Sequence, residues 1–543
     1  MNDSIQFKNT RPKIRSAVAG LFWLLLAGFL IFNKPFALLG IPPGVGHPPL
    51  YIGEMVLACV LLVTFENWRR AIVQPFKDSW AVRCIAAFFI YGVSRAILDF
   101  PARGWWAFRD GVCAGYALVA FLAPTLWCGA GWWNRKGARI LLGGNESGQI
   151  EARSTLSPED LPSHLVRMLL PLSACAAAWS AALRFNIIRA PAENKVDFLT
   201  MSAAIAAWVW TMATVKATRI KTPGSDQTTS HLPWILFAAA LSAAAFLTMI
   251  ALPTRAVWLS VGPLTLAVVL TLTRRPRVVL WCAGLLCAAL ILLSLGRMSG
   301  FVQVDVEWEL DRGLDVSIDR LEAKLRENPE VLPKFVFDAD TSGGDLLAKA
   351  ERLTSLLSLS DTKSKTDQGR IAQAAVKWRA AFWLRCCRYA FHQAPLFGIG
   401  FGNNLTNLLR GTPAWPLFIP SMAVGNRSPH SAHVTIFTRL GLCGLFIWGA
   451  LIFCLFKQAI CACRTYLKLA GSALTPEIAA RNYRRFWDTL TILGVWIVYL
   501  CSMSFGVVLE GPMGGIWFWA LTGVLALINP YGDADEVALN GLM

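Results

Sequence analysis

Residues 428–456 read SPHSAHVTIFTRLGLCGLFIWGALIFCLF, and two things happen within them. From Ala432 the run stays apolar long enough for a membrane-crossing helix, which needs about 20 mostly apolar residues. Its opening, Ser428–His433, closes the one long polar interval of the chain. That opening also holds two of only six histidines, one helical turn apart where a helix enters lipid. Ser428 suits a helix N-cap and Pro429 the first helical position, which puts His430 in the first turn. The positive end of a helix dipole disfavours imidazolium, so a histidine there is expected neutral and able to accept a proton. The same pattern also suits a polar anchor at a helix mouth.

The rest of the chain extends the membrane reading. Its 543 residues are 55% hydrophobic and only 16% charged, with a mean hydropathy of +0.48. Long apolar runs with so little charge exclude an ordinary water-soluble fold. Apolar segments lie near 16–38, 49–65, 80–98, 110–130, 168–188, 198–215, 232–252, 256–273, 278–296, 432–456, 487–507 and 513–529. The sequence therefore predicts an all-α polytopic membrane protein with about twelve transmembrane helices. Helices 1–9 are expected within 1–296, a large, partly helical loop over 297–430, helices 10–12 within 431–530, and a tail over 531–543.

Basic residues set the expected orientation. Lys8, Arg11, Lys13 and Arg15 precede the first segment. Arg69, Arg70, Lys77, Arg135, Lys136, Arg139, Lys216, Arg219, Lys221, Arg274, Arg275 and Arg277 fall in alternate connections. Lys457, Arg464, Lys468, Arg481, Arg484 and Arg485 follow the tenth segment, whereas the opposite connections hold chiefly Arg103, Arg189, Lys195 and Arg255. Positive residues favour the cytoplasmic side, so both termini are expected there and the 297–430 loop outside. The net charge of +17 is mostly this collar. It fits topology and contact with anionic membrane lipids, not nucleic acid, since no basic patch sits on a soluble domain. The first segment is long and lacks a small-x-small cleavage site, so it reads as retained. Most of the fourteen cysteines lie inside apolar segments or on the basic side and read as small apolar fillers. Cys386 and Cys387 are the exception.

The outer loop has its own patterning. Asp315–Asn328 and Asp345–Leu357 carry helical periodicity. The acidic run Asp305, Glu307, Glu309, Asp311 and Asp315 suits a solvated face better than a cation site, because no ligand spacing emerges. A helix is expected over about 371–393, with Lys377, Arg385, Arg388 and His392 on one face and Ala375, Trp378, Phe382, Cys386, Tyr389 and Ala390 on the other. A basic stripe suits a helix lying on lipid headgroups. Arg379 falls in the middle of the apolar face and needs an anion or carbonyls. Arg255 occupies the tight outer turn Pro253–Thr254–Arg255, where it suits either outer-leaflet phosphate or a ligand phosphate. Two arginine forks from separate elements can clamp a diphosphate.

With these residues in place, the chain resembles the O-antigen ligase and O-antigen polymerase superfamily of bacterial envelope glycosyltransferases. Thr254–Arg255–Ala256–Val257–Trp258–Leu259 resembles the arginine-bearing start of a span in that family. Trp378–Arg379, then Trp383, then Pro395–Leu396–Phe397–Gly398–Ile399–Gly400–Phe401–Gly402 resembles its Arg-x-x-x-Trp and Pro-Leu-Phe-Gly-x-Gly patterns. Pro429–His430, with Gly441 and Gly444 downstream, resembles its His-Asn helix ending in Gly-x-x-Gly, with Ser431 in place of the Asn. The likeness covers most of the chain from about 232 onward.

The resemblance implies twelve helices with a periplasmic loop between the ninth and tenth, in the bacterial inner membrane. It also implies transfer of a glycan from undecaprenyl diphosphate to a sugar hydroxyl, on the lipid A core or another envelope glycan. The family works without nucleotide sugar, metal or other cofactor. His430 would then act as general base, and Arg255 and Arg379 would bind diphosphate. Gly398, Gly400 and Gly402 either let backbone approach the ligand or make a plain turn. His433 is a candidate partner of His430, and Trp383 belongs to the same motif. Glu54, Asp99, Arg109, Asp110, Tyr116 and Glu510 lie near the outer face. Arg109 and Asp110 are expected to pair with each other, while all keep a secondary candidacy for lining a carrier groove. A polymerase shares these residues with a ligase. A lipid-glycan flippase or a non-catalytic assembly partner is the alternative of another class, although transporters often show repeated halves with broken helices at midplane.

Overall fold

A computed structural model describes residues 12–32, 34–37, 39–41, 50–64, 79–129, 161–184, 196–219, 232–251, 260–272, 379, 382–405, 408, 428–473 and 475–528. These residues are almost entirely helical. The one pair of strands among them is a two-residue antiparallel ladder, Gly40 opposite Tyr51 and Ile41 opposite Leu50. The chain is a multi-helical, membrane-associated protein.

Five of the described helices are long and apolar enough to cross a membrane: Trp80–Arg103, Trp105–Trp127, Leu161–Leu183, Ala432–Gly471 and Pro476–Met503. The expected count was twelve. Four further apolar helices are shorter, at Ala17–Phe32, Ile52–Thr64, Ile235–Ala245 and Pro512–Leu527. Val196–Arg219 and Val261–Leu272 are helical without qualifying. The segment at 278–296, like the expected helices at 315–328 and 345–357, lies outside the described residues. Among the described residues, the other expected segments fall short of a span by length or by composition. Gly104, with φ 59°, separates Trp80–Arg103 from Trp105–Gly115. A single 3-10 turn at Tyr116–Leu118 interrupts the next run.

The described residues divide into two compact units. One draws on Met1–Arg274, Ser431–His433 and Cys443–Met543, the other on Arg275–His430 and Val434–Leu442. In the first unit, indole N–H groups bridge neighbouring helices. Trp517 donates to the Leu26 carbonyl (2.8 Å), Trp208 to the Thr491 carbonyl (3.0 Å) and Trp496 to the Thr522 hydroxyl (2.9 Å). A buried indole needs such a partner, and between apolar helices the bond also fixes which faces meet.

The first unit also contains a buried polar junction that hydropathy does not reveal. Asp488, 1% exposed, accepts hydrogen bonds from the Ser163 hydroxyl and the Lys216 ammonium. It thereby ties Pro476–Met503 to Leu161–Arg184 and Val196–Arg219. Removing one partner of a buried pair leaves the other charge uncompensated. Lys216 keeps a quarter of its side chain exposed, so Asp488→Ala is expected to destabilise by about 3 kcal/mol, the low end for such a loss. Unfolding of the purified protein in detergent measures this, and the double variant with Lys216→Met should recover part of the loss.

Candidate functional site

In the second unit, a short helix over 382–393 and the tight turn after it pack along residues 434–442. Phe382, Cys386 and Leu405 are fully buried and close around Ile399, Leu408 and Val434. That apolar contact brings the glycine-rich turn to the place where the long Ala432–Gly471 helix breaks.

The break is at Gly441, whose φ of 66° and ψ of −161° are non-helical. Nearly all other residue types avoid that region. The break deprives helix carbonyls of their usual partners four residues on, and the turn supplies replacements. Ile399 N–H donates to the Thr438 carbonyl (2.9 Å) and Gly400 N–H to the Arg439 carbonyl (3.1 Å). In exchange, Leu442 N–H donates to the Pro395 carbonyl (2.9 Å). Gly398, at φ 70°, faces Gly441 across this seam. A Cβ on Gly398 would collide with the backbone of Arg439 and Gly441, and one on Gly441 with the backbone of Leu396 and Gly398. The Gly398 amide is itself bonded to the Ala394 carbonyl (2.8 Å). The amides of Gly398 and Gly400 are therefore committed to protein carbonyls. Gly402 also has a positive φ, 79°.

Arg439 completes the seam, and the sequence reading passed over it. It is 1% exposed, and its guanidinium donates to the carbonyls of Gly400 (3.1 Å) and Asn403 (2.9 Å). Asn403 in turn donates from Nδ2 to the Ile399 carbonyl (2.6 Å). The available signal was a lone arginine inside an apolar run, which is expensive there and marks a buried partner or a function.

His430 stands at the head of this hairpin, half-buried. Its backbone differs from the expectation. The helix begins at Ala432 with Ser431 as N-cap, so His430 precedes the first turn. Its φ is 59°, the one positive value on a non-glycine residue among the described residues. The reason is local: the Ser428 hydroxyl accepts from the His430 amide (3.0 Å), a side-chain turn that competes with helix capping. Trp383 fixes the segment from the other side, donating from Nε1 to the Pro429 carbonyl (2.6 Å). Trp383→Phe retains the ring packing and removes that bond. It is expected to lower stability by about 1 kcal/mol, measured by chemical unfolding.

The other sequence-predicted residues are distributed as follows. Arg379 is helical and half-buried, four residues before Trp383 and in the same unit as His430. Arg255 lies outside the described residues, as do 371–378 of the expected helix. Cys386 and Cys387 are both free. Burial pushes both thiols up, Cys387 to about 11, so neither supplies a thiolate nucleophile at neutral pH.

His433 belongs to the first unit and both its ring nitrogens are occupied. Trp448 Nε1 donates to Nδ1 (3.0 Å), and Nε2 is 2.9 Å from the Ser504 hydroxyl. An indole nitrogen only donates, so Nδ1 is the acceptor and the ring proton sits on Nε2. The Ser504 hydroxyl in turn donates to the Leu500 carbonyl (3.1 Å). This is a satisfied packing histidine with no free nitrogen to offer a metal or His430. Among the described residues, no group of three or more His, Cys, Asp or Glu is arranged to hold a metal ion.

The outer-face candidates also resolve. Glu54 accepts from the Tyr51 amide (2.8 Å) and the Tyr116 hydroxyl (3.0 Å). Arg109 lies 3.9 Å from Glu54 and 5.1 Å from the centre of the Tyr51 ring. The expected Arg109–Asp110 pair is thus replaced by Arg109–Glu54, because adjacent helical positions do not face one another. Asp99 pairs with Arg95 at 3.1 Å, one turn away on the same helix. Glu510 is half-buried in the turn before the Pro512–Leu527 helix. Set against known proteins, the chain matches no family model, and no curated protein is similar to it.

Proposed function

We propose that this protein transfers a glycan from undecaprenyl diphosphate to a sugar hydroxyl, as O-antigen ligases do, at the periplasmic face of a bacterial inner membrane. The fuller architecture of the proposal has twelve membrane helices, both termini in the cytoplasm, and a periplasmic loop between helices nine and ten. The observation that carries the reading is the backbone of His430. A histidine held in the left-handed region by Ser428 and Trp383 carries strain of about 1–3 kcal/mol, and such strain concentrates at functional sites.

In this mechanism the His430 imidazole takes the proton of the acceptor hydroxyl as its oxygen bonds to the anomeric carbon. The bond from that carbon to the diphosphate oxygen breaks on the opposite face, inverting the centre and leaving undecaprenyl diphosphate. Arg255 and Arg379 stabilise the charge growing on the departing diphosphate. The Gly398–Gly402 turn and Arg439 brace the helix that carries Trp383 against the segment that carries His430. The proposed acceptor is the lipid A core or another envelope glycan.

The test offers purified protein a defined lipid-linked glycan together with either lipid A core or a second lipid-linked repeat. A single transfer to core supports the ligase reading. A ladder of lengthening products without core reassigns the protein to an O-antigen or exopolysaccharide polymerase. No product in either arm, from folded protein, removes glycan transfer and turns attention to lipid-glycan translocation.

A further inference from the structure

The turn after the 382–393 helix exposes apolar side chains that a water-facing loop would hide. Leu396 is 53% exposed, Phe397 55% and Phe391 58%, with Tyr389 at 42% beside them. Arg388 and His392 are exposed on the same stretch, and the His392 ring packs edge-on against Phe391 at 6.2 Å.

The hydrogen-bonded seam gives this patch a depth. The turn is bonded to Thr438, Arg439 and Leu442. Those residues stand near the start of the apolar run that opens at Ala432, where the chain enters the hydrocarbon layer. The turn is therefore pinned at that boundary. Its main chain is prepared for the place, since the amides of Gly398, Ile399 and Gly400 donate to protein carbonyls. Irregular backbone at membrane depth requires such internal partners. The residues on either side grade in the right order, apolar at the tip and basic toward the start of the helix.

We propose that residues 388–397 form an interfacial hairpin tip, with Phe391, Leu396 and Phe397 in the acyl boundary of the bilayer and Arg388 among lipid phosphates. The occupant of this surface is the lipid leaflet itself. An amphipathic element with aromatic and leucine residues on one side and cations on the other binds that boundary, and arginine at the rim reaches headgroup phosphate. This part of the expected outer loop is then a membrane-inserted element. The inference stands apart from the glycan-transfer proposal.

The experiment uses the full chain in nanodiscs containing phosphatidylglycerol. One sample is labelled with a membrane-confined diazirine that generates a carbene, another with hydroxyl radicals from bulk water, and both are mapped by peptide mass spectrometry. Phe446 and Phe453, 78% and 66% exposed on the same long helix, are internal references for lipid contact. Carbene adducts on Leu396 and Phe397 within about threefold of the Phe446 yield, with radical oxidation at background, are the expected result. Phe397→Asp should then lower the adducts on Phe391 severalfold. Oxidation from water without carbene adducts overturns the proposal, and so does labelling by neither reagent.

Discussion

Replacing His430 with alanine is expected to lower glycan transfer roughly 10²–10⁴-fold, the usual contribution of a positioned proton acceptor, in protein that still folds. His430→Gly should lose the same activity and yet be as stable as the parent, or more stable by up to about 1 kcal/mol. Glycine adopts a φ of 59° without the steric penalty of a Cβ. The two variants separate roles that alanine alone would confound. A histidine that merely anchors a helix mouth gains or loses stability without changing transfer. Transfer rates on the defined donor, together with unfolding of the same preparations, read both quantities. Parental activity in His430→Gly would end the general-base assignment.

The second large effect is structural. Gly441→Ala is expected to destabilise by about 3–5 kcal/mol, combining a backbone region nearly closed to alanine with forced overpacking. The new Cβ would meet the backbone of Leu396 and Gly398, which do not move independently of the seam. Hydrogen exchange locates the damage. The amides of Ile399 and Gly400, which cap Thr438 and Arg439, should exchange faster in the variant, while the Trp517–Leu26 contact of the other unit stays protected. Uniform loss of protection would show instead that the seam is not a separate element.

Particular residues show what the sequence could and could not reveal. Membrane character was legible because hydropathy adds along the chain and needs no knowledge of partners. Helix bounds were less so: the segments read at 80–98 and 110–130 are Trp80–Arg103 and Trp105–Trp127, parted by Gly104 alone, and apolarity carries no information about backbone breaks. Ser428–Pro429 reads as a helix start, but the same hydroxyl can bond the amide two residues on, and that alternative prevails here. The glycines after Pro395 were visible as a motif. Their partner Gly441 was visible as another, and only the fold shows that each leaves room for the other's backbone. Arg439 disappears into an apolar run, and the pairing of Arg109 with Glu54 joins residues 55 positions apart in sequence. Histidine chemistry divides the same way. His430 and His433 look equivalent in the sequence, yet Trp448 and Ser504 occupy both nitrogens of the second.

From Cys443, past its break at Gly441, the long helix runs on to Gly471, about 44 Å at 1.5 Å per residue. A hydrocarbon layer accounts for about 30 Å of that. About a third of this stretch must therefore stand clear of the bilayer, at the end that carries Arg464 and Lys468. The helix that returns begins at Pro476, a few residues further on. The two ends are joined through Ser472 and Thr475, which makes their junction an accessible handle for a purification tag or a labelling peptide. An insertion there falls outside the unit that carries His430 and the glycine seam.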